Sequence, residues 1–204
     1  MDYKTLHEVL SRAQGFSPGS VLPEELSAVR CLLRDGSGDI YAAIYVVGLC
    51  GSEQDAVLIE PYLSDDYPDY VRSAALVALC RYLALSANYR AVLADLVFSE
   101  ETDDTVDERH TAIQLCGDHL SAQDDPEIGC RLVEICRNST EGVWIRTSAL
   151  RSLAGALKME DELDRVASIE EQPTSTVEKV LIAATKRFQC DESICGGRSG
   201  RSLH

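Results

Sequence analysis

Two groups of side chains in this sequence have types that could perform chemistry. The segment Asp107-Glu108-Arg109-His110 places carboxylates beside a histidine, the combination that general acid–base catalysis needs. Its setting inside a predicted helix instead favours a His110 that lies on the surface or between repeats. Cys190 and Cys195 lie close together in a glycine-rich tail and could bind a metal ion or form a disulfide. Zinc sites commonly have two residues between paired cysteines and a second such pair, which this tail lacks, so we predict no metal site and no cofactor.

The sequence contains none of the strong catalytic signatures. It has no glycine-rich phosphate loop, no Gly-x-Ser-x-Gly and no His-Glu-x-x-His. The acid-rich run DDTVDE lacks the glycine and the alternating ligands of a calcium-binding EF-hand loop. We therefore predict that the protein is not an enzyme and acts by binding.

Acidic side chains are concentrated in segments that precede predicted helices. Residues 64–70 read SDDYPDY, and residues 99–108 read SEETDDTVDE, which supplies six carboxylates to one helix start. Capping a helix needs about one such residue, and further like charges repel one another. Repeats stacked about 10 Å apart would align these segments as one acidic ridge. We predict that the surplus acids contact a partner and that two tyrosines anchor it. The predicted contact residues are Asp65, Asp66, Tyr67, Asp69, Tyr70, Glu100, Glu101, Asp103, Asp104, Asp107 and Glu108.

The charge balance limits the class of partner. The chain has 34 acidic and 19 basic residues and a formal net charge of −15. Such a field repels nucleic acids and anionic lipid and attracts basic proteins. The N-terminal segment lacks the pattern of a signal peptide, and no apolar run reaches 18 residues. Cysteines inside apolar helical runs predict buried thiols: Cys50, Cys80 and Cys116. We expect a cytoplasmic monomer that binds neither nucleic acid nor membrane.

The sequence repeats itself with a spacing of 37 residues. The segments that begin at Asp69, Val106 and Val143 align, and weaker copies cover residues 39–50 and 176–188. Three arginines fall on the same repeat position: Arg72, Arg109 and Arg146. A period of this size is typical of a solenoid built from helix pairs.

Apolar spacing and capping residues predict two helices in each repeat. The first helices are predicted at 23–34, 53–63, 87–98, 124–137 and 160–169, the second at 39–50, 69–84, 106–120, 142–157 and 175–188, and an additional helix at 2–14. One face of the 69–84 helix is predicted to be buried: Val71, Ala74, Ala75, Ala78, Leu79 and Tyr82. Predicted caps are Ser64, Asp66 or Asp69 for this helix, and Ser175 with Glu178 for the last one. Residues 1–188 are predicted to form the domain, and 189–204 a flexible tail.

The segment DYVRSAAL, with Asp69, Arg72 and Ala75, resembles the second helix of a HEAT repeat. The resemblance covers about residues 22–188 and implies an all-α fold, an α-solenoid of about five helix pairs with an N-terminal helix. It implies a structural task for Asp69 and Arg72 in a polar ladder between repeats. Val106 and Val143 stand where the family has the aspartate. HEAT arrays share no chemistry, so the resemblance predicts fold alone.

These observations favour an immunity-type inhibitor. A nuclease that binds phosphate has a basic cleft, and an acidic surface can enter it and block it. We therefore predict a basic protein partner, such as the domain of a bacterial toxin nuclease. One alternative is a scaffold or adaptor that grips its partner on the second helices, through residues such as Arg81 and Gln114. Another is a HEAT-type bilin lyase or cofactor chaperone.

Overall fold

The computed structural model describes residues 1–99 and 106–190, with side chains in the second stretch described from Glu108 onward. Within these ranges every regular element is helical and no strand occurs, so the predicted all-α class is confirmed. None of the helices in the described part of the chain is both long enough and apolar enough to span a membrane.

The chain divides into two compact units, Met1–Leu115 and Cys116–His204. The first unit contains α1 (Tyr3–Ala13), α2 (Pro23–Asp35), α3 (Ile40–Cys50), α4 (Ala56–Ile59), α5 (Asp69–Val77), α6 (Arg90–Phe98) and the first part of α7 (Val106–Ala122). Short 3-10 turns flank α4 at Glu53–Asp55 and Glu60–Leu63, and a π-helical turn, Ala78–Tyr82, extends α5. Helix α3 lies at the centre of this unit, because α1, α2 and α5 all pack against it.

The second unit contains the end of α7 and three further helices that pack against one another: α8 (Pro126–Arg137), α9 (Val143–Leu157) and α10 (Thr174–Phe188). Gly129 allows α8 to approach its neighbour closely. A Cβ atom there would collide with the ring of Phe188, which is fully buried. The missing side chain therefore lets α8 and α10 come together.

Most of the predicted helices are confirmed to within a few residues, but the helix predicted at 160–169 is wrong. Only Glu160–Glu162 is helical, as one 3-10 turn. The amide nitrogen of Gln172 instead donates to the carbonyls of Asp164 and Ala167, and its amide oxygen accepts from the Asp164 N–H. This buried side chain supplies the hydrogen bonds that a helical backbone would otherwise have made.

Three aspartates cap helices, although not at the helices for which caps were predicted. Asp2, Asp39 and Asp125 accept hydrogen bonds from backbone N–H groups at the starts of α1, α3 and α8. No side chain caps α5 or α10, so the predicted caps there are wrong. Both helices follow a proline, Pro68 and Pro173, whose extended backbone starts the helix and whose carbonyl accepts the first N–H groups.

The predicted buried face of α5 is confirmed except at its last member. Val71, Ala74, Ala75, Ala78 and Leu79 are all buried. Tyr82 is 37% exposed, because the π-helical turn changes the spacing after Ala78 and rotates the tyrosine out of the buried face.

The cysteines show one bond that the sequence did not predict. Cys130 of α8 and Cys190, just beyond α10, form a disulfide across 60 residues of sequence. Cys80 and Cys116 are buried as predicted, and Cys50 is half-buried. Cys195, the other partner considered for Cys190, lies outside the described residues.

Candidate functional site

The acidic turn, Ser64–Asp69, wraps around the guanidinium of Arg72. The Nη1 atom of Arg72 donates to Asp65 at 3.2 Å and to the Tyr67 carbonyl at 3.4 Å, while Nη2 donates to Asp69 at 3.1 Å. The Ser64 hydroxyl donates to Asp66 at 3.0 Å, which fixes the second aspartate of the turn. The turn is therefore held by an arginine one helical turn into α5, and not by an N-cap.

Arg72 also forms a two-pronged ion pair with Glu108 at the start of α7. The Nε–Oε1 distance is 2.6 Å and the Nη2–Oε2 distance is 2.7 Å. The side chain of Arg72 is 14% exposed and that of Glu108 is 6% exposed. This hydrogen bonding to Glu108 raises the pKa of the Arg72 guanidinium, although burial acts in the opposite direction. Glu108 was predicted to contact a partner. The structure corrects this, because its carboxylate is buried and engaged inside the first unit.

The other predicted contact residues differ in their exposure to solvent. Asp65 and Asp66 are exposed, and Asp69 is half-buried. Tyr70 is 61% exposed, whereas Tyr67 is half-buried and its ring lies 4.8 Å from that of Tyr62. Tyr67 is therefore mainly a packing residue. Four of the predicted contact residues lie outside the described residues: Glu100, Glu101, Asp103 and Asp104. The side chain of Asp107 also lies outside the described part of the chain.

Beside the acidic turn, four tyrosines from α3 and the α5 segment form a continuous surface, which we call the tyrosine face. It consists of Tyr41, Tyr45, Tyr70 and Tyr82. The ring of Tyr41 lies 5.9 Å from that of Tyr70 and 4.9 Å from that of Tyr45, and Tyr45 lies 6.0 Å from Tyr82. These distances are those of interacting aromatic pairs. Three of the rings are exposed, so a partner can reach the face.

Sequence reasoning missed three of these four tyrosines. Tyr41 and Tyr45 stand four residues apart in the otherwise apolar helix IYAAIYVVGLC. That spacing places both rings on one side of α3, away from the buried Ala42, Ala43, Val46 and Val47. The signal was present in the sequence, but it was overlooked because the apolar run resembles a fully buried helix.

Charge is unevenly distributed along this surface. Around the acidic turn, the guanidinium of Arg72 contacts three carboxylates, those of Asp65, Asp69 and Glu108, and the exposed Asp66 adds a fourth carboxylate to the turn. At the other end of the surface, burial and the neighbouring Tyr41 raise the pKa of the Tyr45 phenol. The exposed Arg81 lies close enough for its positive charge to act in the opposite direction on that pKa. The surface is therefore anionic at the start of α5 and bears a cation at its end.

Asp39, an acid of the turn before α3, already has two partners within the first unit. Asp39 caps α3 through Oδ1, and its Oδ2 lies 2.9 Å from Nε2 of His7 on α1. The Tyr3 ring lies 4.1 Å from His7. The Tyr62 hydroxyl, just before the acidic turn, donates to the Leu33 carbonyl near the end of α2 at 2.6 Å.

The other two repeat arginines also point inward within their own units. Arg109 is 1% exposed. In the second unit, Arg146 donates to the Cys136 carbonyl at 3.3 Å and contacts Glu170 at 3.1 Å. The structural task of the repeat position stays a prediction. His110 lies 3.2 Å from the side chain of Gln114, and His119 is fully buried near Asp125.

The described residues of the acidic turn and the tyrosine face present carboxylates and aromatic rings to solvent. No group of three or more histidine, cysteine or acidic side chains in the part of the chain that the structure describes could hold a metal ion. The described contacts of the acidic turn's carboxylates are with the guanidinium of Arg72 and the hydroxyl of Ser64. Comparisons with protein-family models, curated proteins and solved structures found no match.

Proposed function

We propose that this chain is a protein-binding module that holds a cationic protein on the acidic turn and the tyrosine face. In the specific form of this proposal it is an immunity-type inhibitor built from HEAT-like repeats, and its partner is a basic enzyme such as a toxin nuclease. Inhibition is by occlusion: the acids occupy the positive cleft in which the enzyme would bind phosphate. The chain itself performs no chemistry.

One observation carries the proposal. Asp65 and Asp66 remain exposed in the turn that leads into α5, where the ring of Tyr70 is also exposed, although Arg72 is already paired with the buried Glu108. Exposed carboxylates at close range repel one another, so their surplus lowers stability unless a cation approaches. Tyrosine next to such acids supplies the apolar contact area that charged side chains lack. A cationic protein satisfies both features.

The test compares two charge reversals of equal size. The variant Asp65→Lys/Asp66→Lys changes the acidic turn, and the control Glu24→Lys/Glu53→Lys makes the same change in net charge at exposed positions elsewhere in the first unit. The probe is any basic protein that a gene adjacent to this one encodes, and its affinity is measured by calorimetry at low and physiological salt. We expect the first variant to weaken binding about tenfold or more, and the control to bind like the wild type. Equal affinities for the two variants would exclude the acidic turn as the binding surface.

A second candidate function, a scaffold that grips a partner on its second helices, is favoured by the position of the tyrosine face. Tyr41 and Tyr45 belong to α3 and Tyr70 to α5, which are second helices in the predicted pairing. A scaffold of this kind would lose affinity on Arg81→Ala and Gln114→Ala, and would tolerate reversal of Asp65 and Asp66. The inhibitor gives the opposite pattern.

A further inference from the structure

The tyrosine face and the acidic turn meet at the start of α5, where Tyr70 directly follows Asp69. The Tyr70 ring is largely exposed and is supported on one side by Tyr41. The acidic turn and the tyrosine face therefore follow one another along the chain, and both have exposed members. This combination distinguishes between the two common cationic side chains.

We propose that this surface selects arginine over lysine, so that its occupant is an arginine-rich segment of a cationic protein. The inference rests on the binding function proposed above and adds the chemistry of the group that is recognised.

The argument for arginine begins with geometry. A guanidinium is planar, stacks on an aromatic ring and still presents N–H groups at its edge to a carboxylate. A lysine ammonium is compact and strongly hydrated, and it interacts with a ring or a carboxylate as a point charge. A ring next to a carboxylate therefore offers a guanidinium two favourable contacts at once. Tyr70 and Asp69 are consecutive residues at the start of α5, so a segment with several arginines can reach both the ring and the carboxylate.

The acidic turn already binds one guanidinium. Arg72 occupies its inner side, where Asp65 and Asp69 each accept a hydrogen bond through Oδ1. The described contacts of these two residues leave the other oxygen of each carboxylate for a second donor, and a carboxylate can accept several hydrogen bonds. Asp66 adds a further exposed acid. Arg72 shows that the spacing of the turn fits a guanidinium, and the outer side has the charge to receive another.

The charge of the first unit favours the same occupant. The acidic turn with Arg72 and Glu108 holds four carboxylates and one cation, so it attracts a positively charged segment. The three exposed rings supply apolar area that a hydrated ammonium would not use. Electrostatic attraction thus draws in any basic segment, and the rings add the preference among them.

The experiment compares an octaarginine peptide with an octalysine peptide, which have equal length and charge. Affinities for the full chain are measured by calorimetry at one fixed ionic strength. The variant Tyr41→Leu/Tyr70→Leu removes two rings and keeps apolar volume, and Tyr70→Phe keeps the ring without the hydroxyl. Tyr3→Leu is the matched control, because Tyr3 is an exposed tyrosine of α1 outside the tyrosine face. Circular dichroism shows that each variant keeps its helices.

We expect the wild type to bind octaarginine about fivefold more tightly than octalysine. Tyr41→Leu/Tyr70→Leu should bring the two affinities together, whereas Tyr70→Phe and Tyr3→Leu should keep the preference. Equal binding of both peptides by the wild type, or a preference that survives loss of the two rings, would overturn the inference.

The outcomes also separate this inference from the proposed function. If both peptides bind the wild type equally and Asp65→Lys/Asp66→Lys weakens both, selection by the tyrosines is wrong and charge-driven binding at the acidic turn stands. If neither peptide binds, the arginine inference is wrong, and the proposed function is decided by its own measurement with a basic protein from an adjacent gene.

Discussion

The guanidinium of Arg72 and the carboxylate of Glu108 form two parallel hydrogen bonds, 2.6 and 2.7 Å long, across 36 residues of sequence. The pair connects the start of α5 to the start of α7 within the first unit, and it leaves Asp65 and Asp69 as additional acceptors around the same cation. One arginine thus fixes the acidic turn in place and joins it to the next predicted repeat.

Removing one member of this pair should destabilise the protein strongly. Arg72→Ala leaves the carboxylate of Glu108 buried without its cation, which we expect to lower the free energy of unfolding by about 2–4 kcal/mol. Urea denaturation followed by circular dichroism measures the change. Lys4→Ala is the control, because the Lys4–Glu8 pair is 4.0 Å long and largely exposed, and it should move the midpoint little. A small loss at Arg72, similar to that at Lys4, would show that the pair does not stabilise the fold.

Gly129 should not tolerate even a methyl group. Gly129→Ala places a Cβ against the ring of Phe188, and we expect a loss of about 2 kcal/mol from the displaced packing between α8 and α10. Gly155→Ala is the matched control in α9, where the nearest atom to a new Cβ is a carboxylate oxygen of Glu160 at 3.9 Å. That variant should be neutral or slightly more stable, because alanine favours helix. Thermal denaturation compares the two, and equal effects would contradict the close approach at Gly129.

The disulfide between Cys130 and Cys190 should stabilise the second unit. It closes a loop across 60 residues, for which the chain-entropy treatment gives about 4 kcal/mol. We expect Cys190→Ser to lower the denaturation midpoint of the non-reduced protein, and we expect dithiothreitol to lower that of the wild type but not of the variant. Cys31→Ser is the control, because Cys31 is an exposed free thiol. Reduction that leaves the wild-type midpoint unchanged would argue against the bond.

Part of the stability that the protein loses in acid should come from protonation of the Asp55 carboxylate. Burial alone would raise the pKa of this carboxyl, but hydrogen bonds from Arg30, at 2.7 Å, and from the Ser52 N–H outweigh it, so the pKa is lowered. A carboxyl whose pKa is lower in the folded state stabilises the protein above its unfolded pKa of about 3.9, and this contribution is lost as the pH falls further.

The variant Asp55→Asn measures this contribution. We expect it to be less stable than the wild type at pH 6, with a difference that shrinks as the pH falls below about 4. Urea denaturation at a series of pH values gives the curve. A difference that stays constant across the series would show that the Asp55 carboxylate is not responsible.

The sequence predicted the helices well wherever apolar spacing and start signals agreed. The face formed by Val71, Ala74 and Ala75 is buried as its spacing requires, because a helix of 3.6 residues per turn leaves no other placement for such a stripe. Prediction failed where a local exception decided the outcome. The π-helical turn at Ala78–Tyr82 exposes Tyr82, and the Gln172 side chain replaces the helix predicted at 160–169.

The candidate site could be predicted only in part. The sequence identified an acid-rich turn and its exposed members, Asp65, Asp66 and Tyr70, because loops before helices lie at the surface. It did not separate these from Glu108 and Tyr67, which have similar chemistry and lie in the same segments. Which carboxylate is buried depends on which cation reaches it. Glu108 is buried by Arg72, which lies 36 residues earlier in the chain.

The sequence by itself determined the all-helical class, the repeat period and the strong negative charge, because these follow from local spacing and composition. Only the tertiary structure decided which side chains meet across helices: Arg72 with Glu108, Cys130 with Cys190, and the tyrosines of α3 with those of the α5 segment. Such contacts join residues that are distant in the chain. Their selection depends on how whole helices pack, which no local pattern contains.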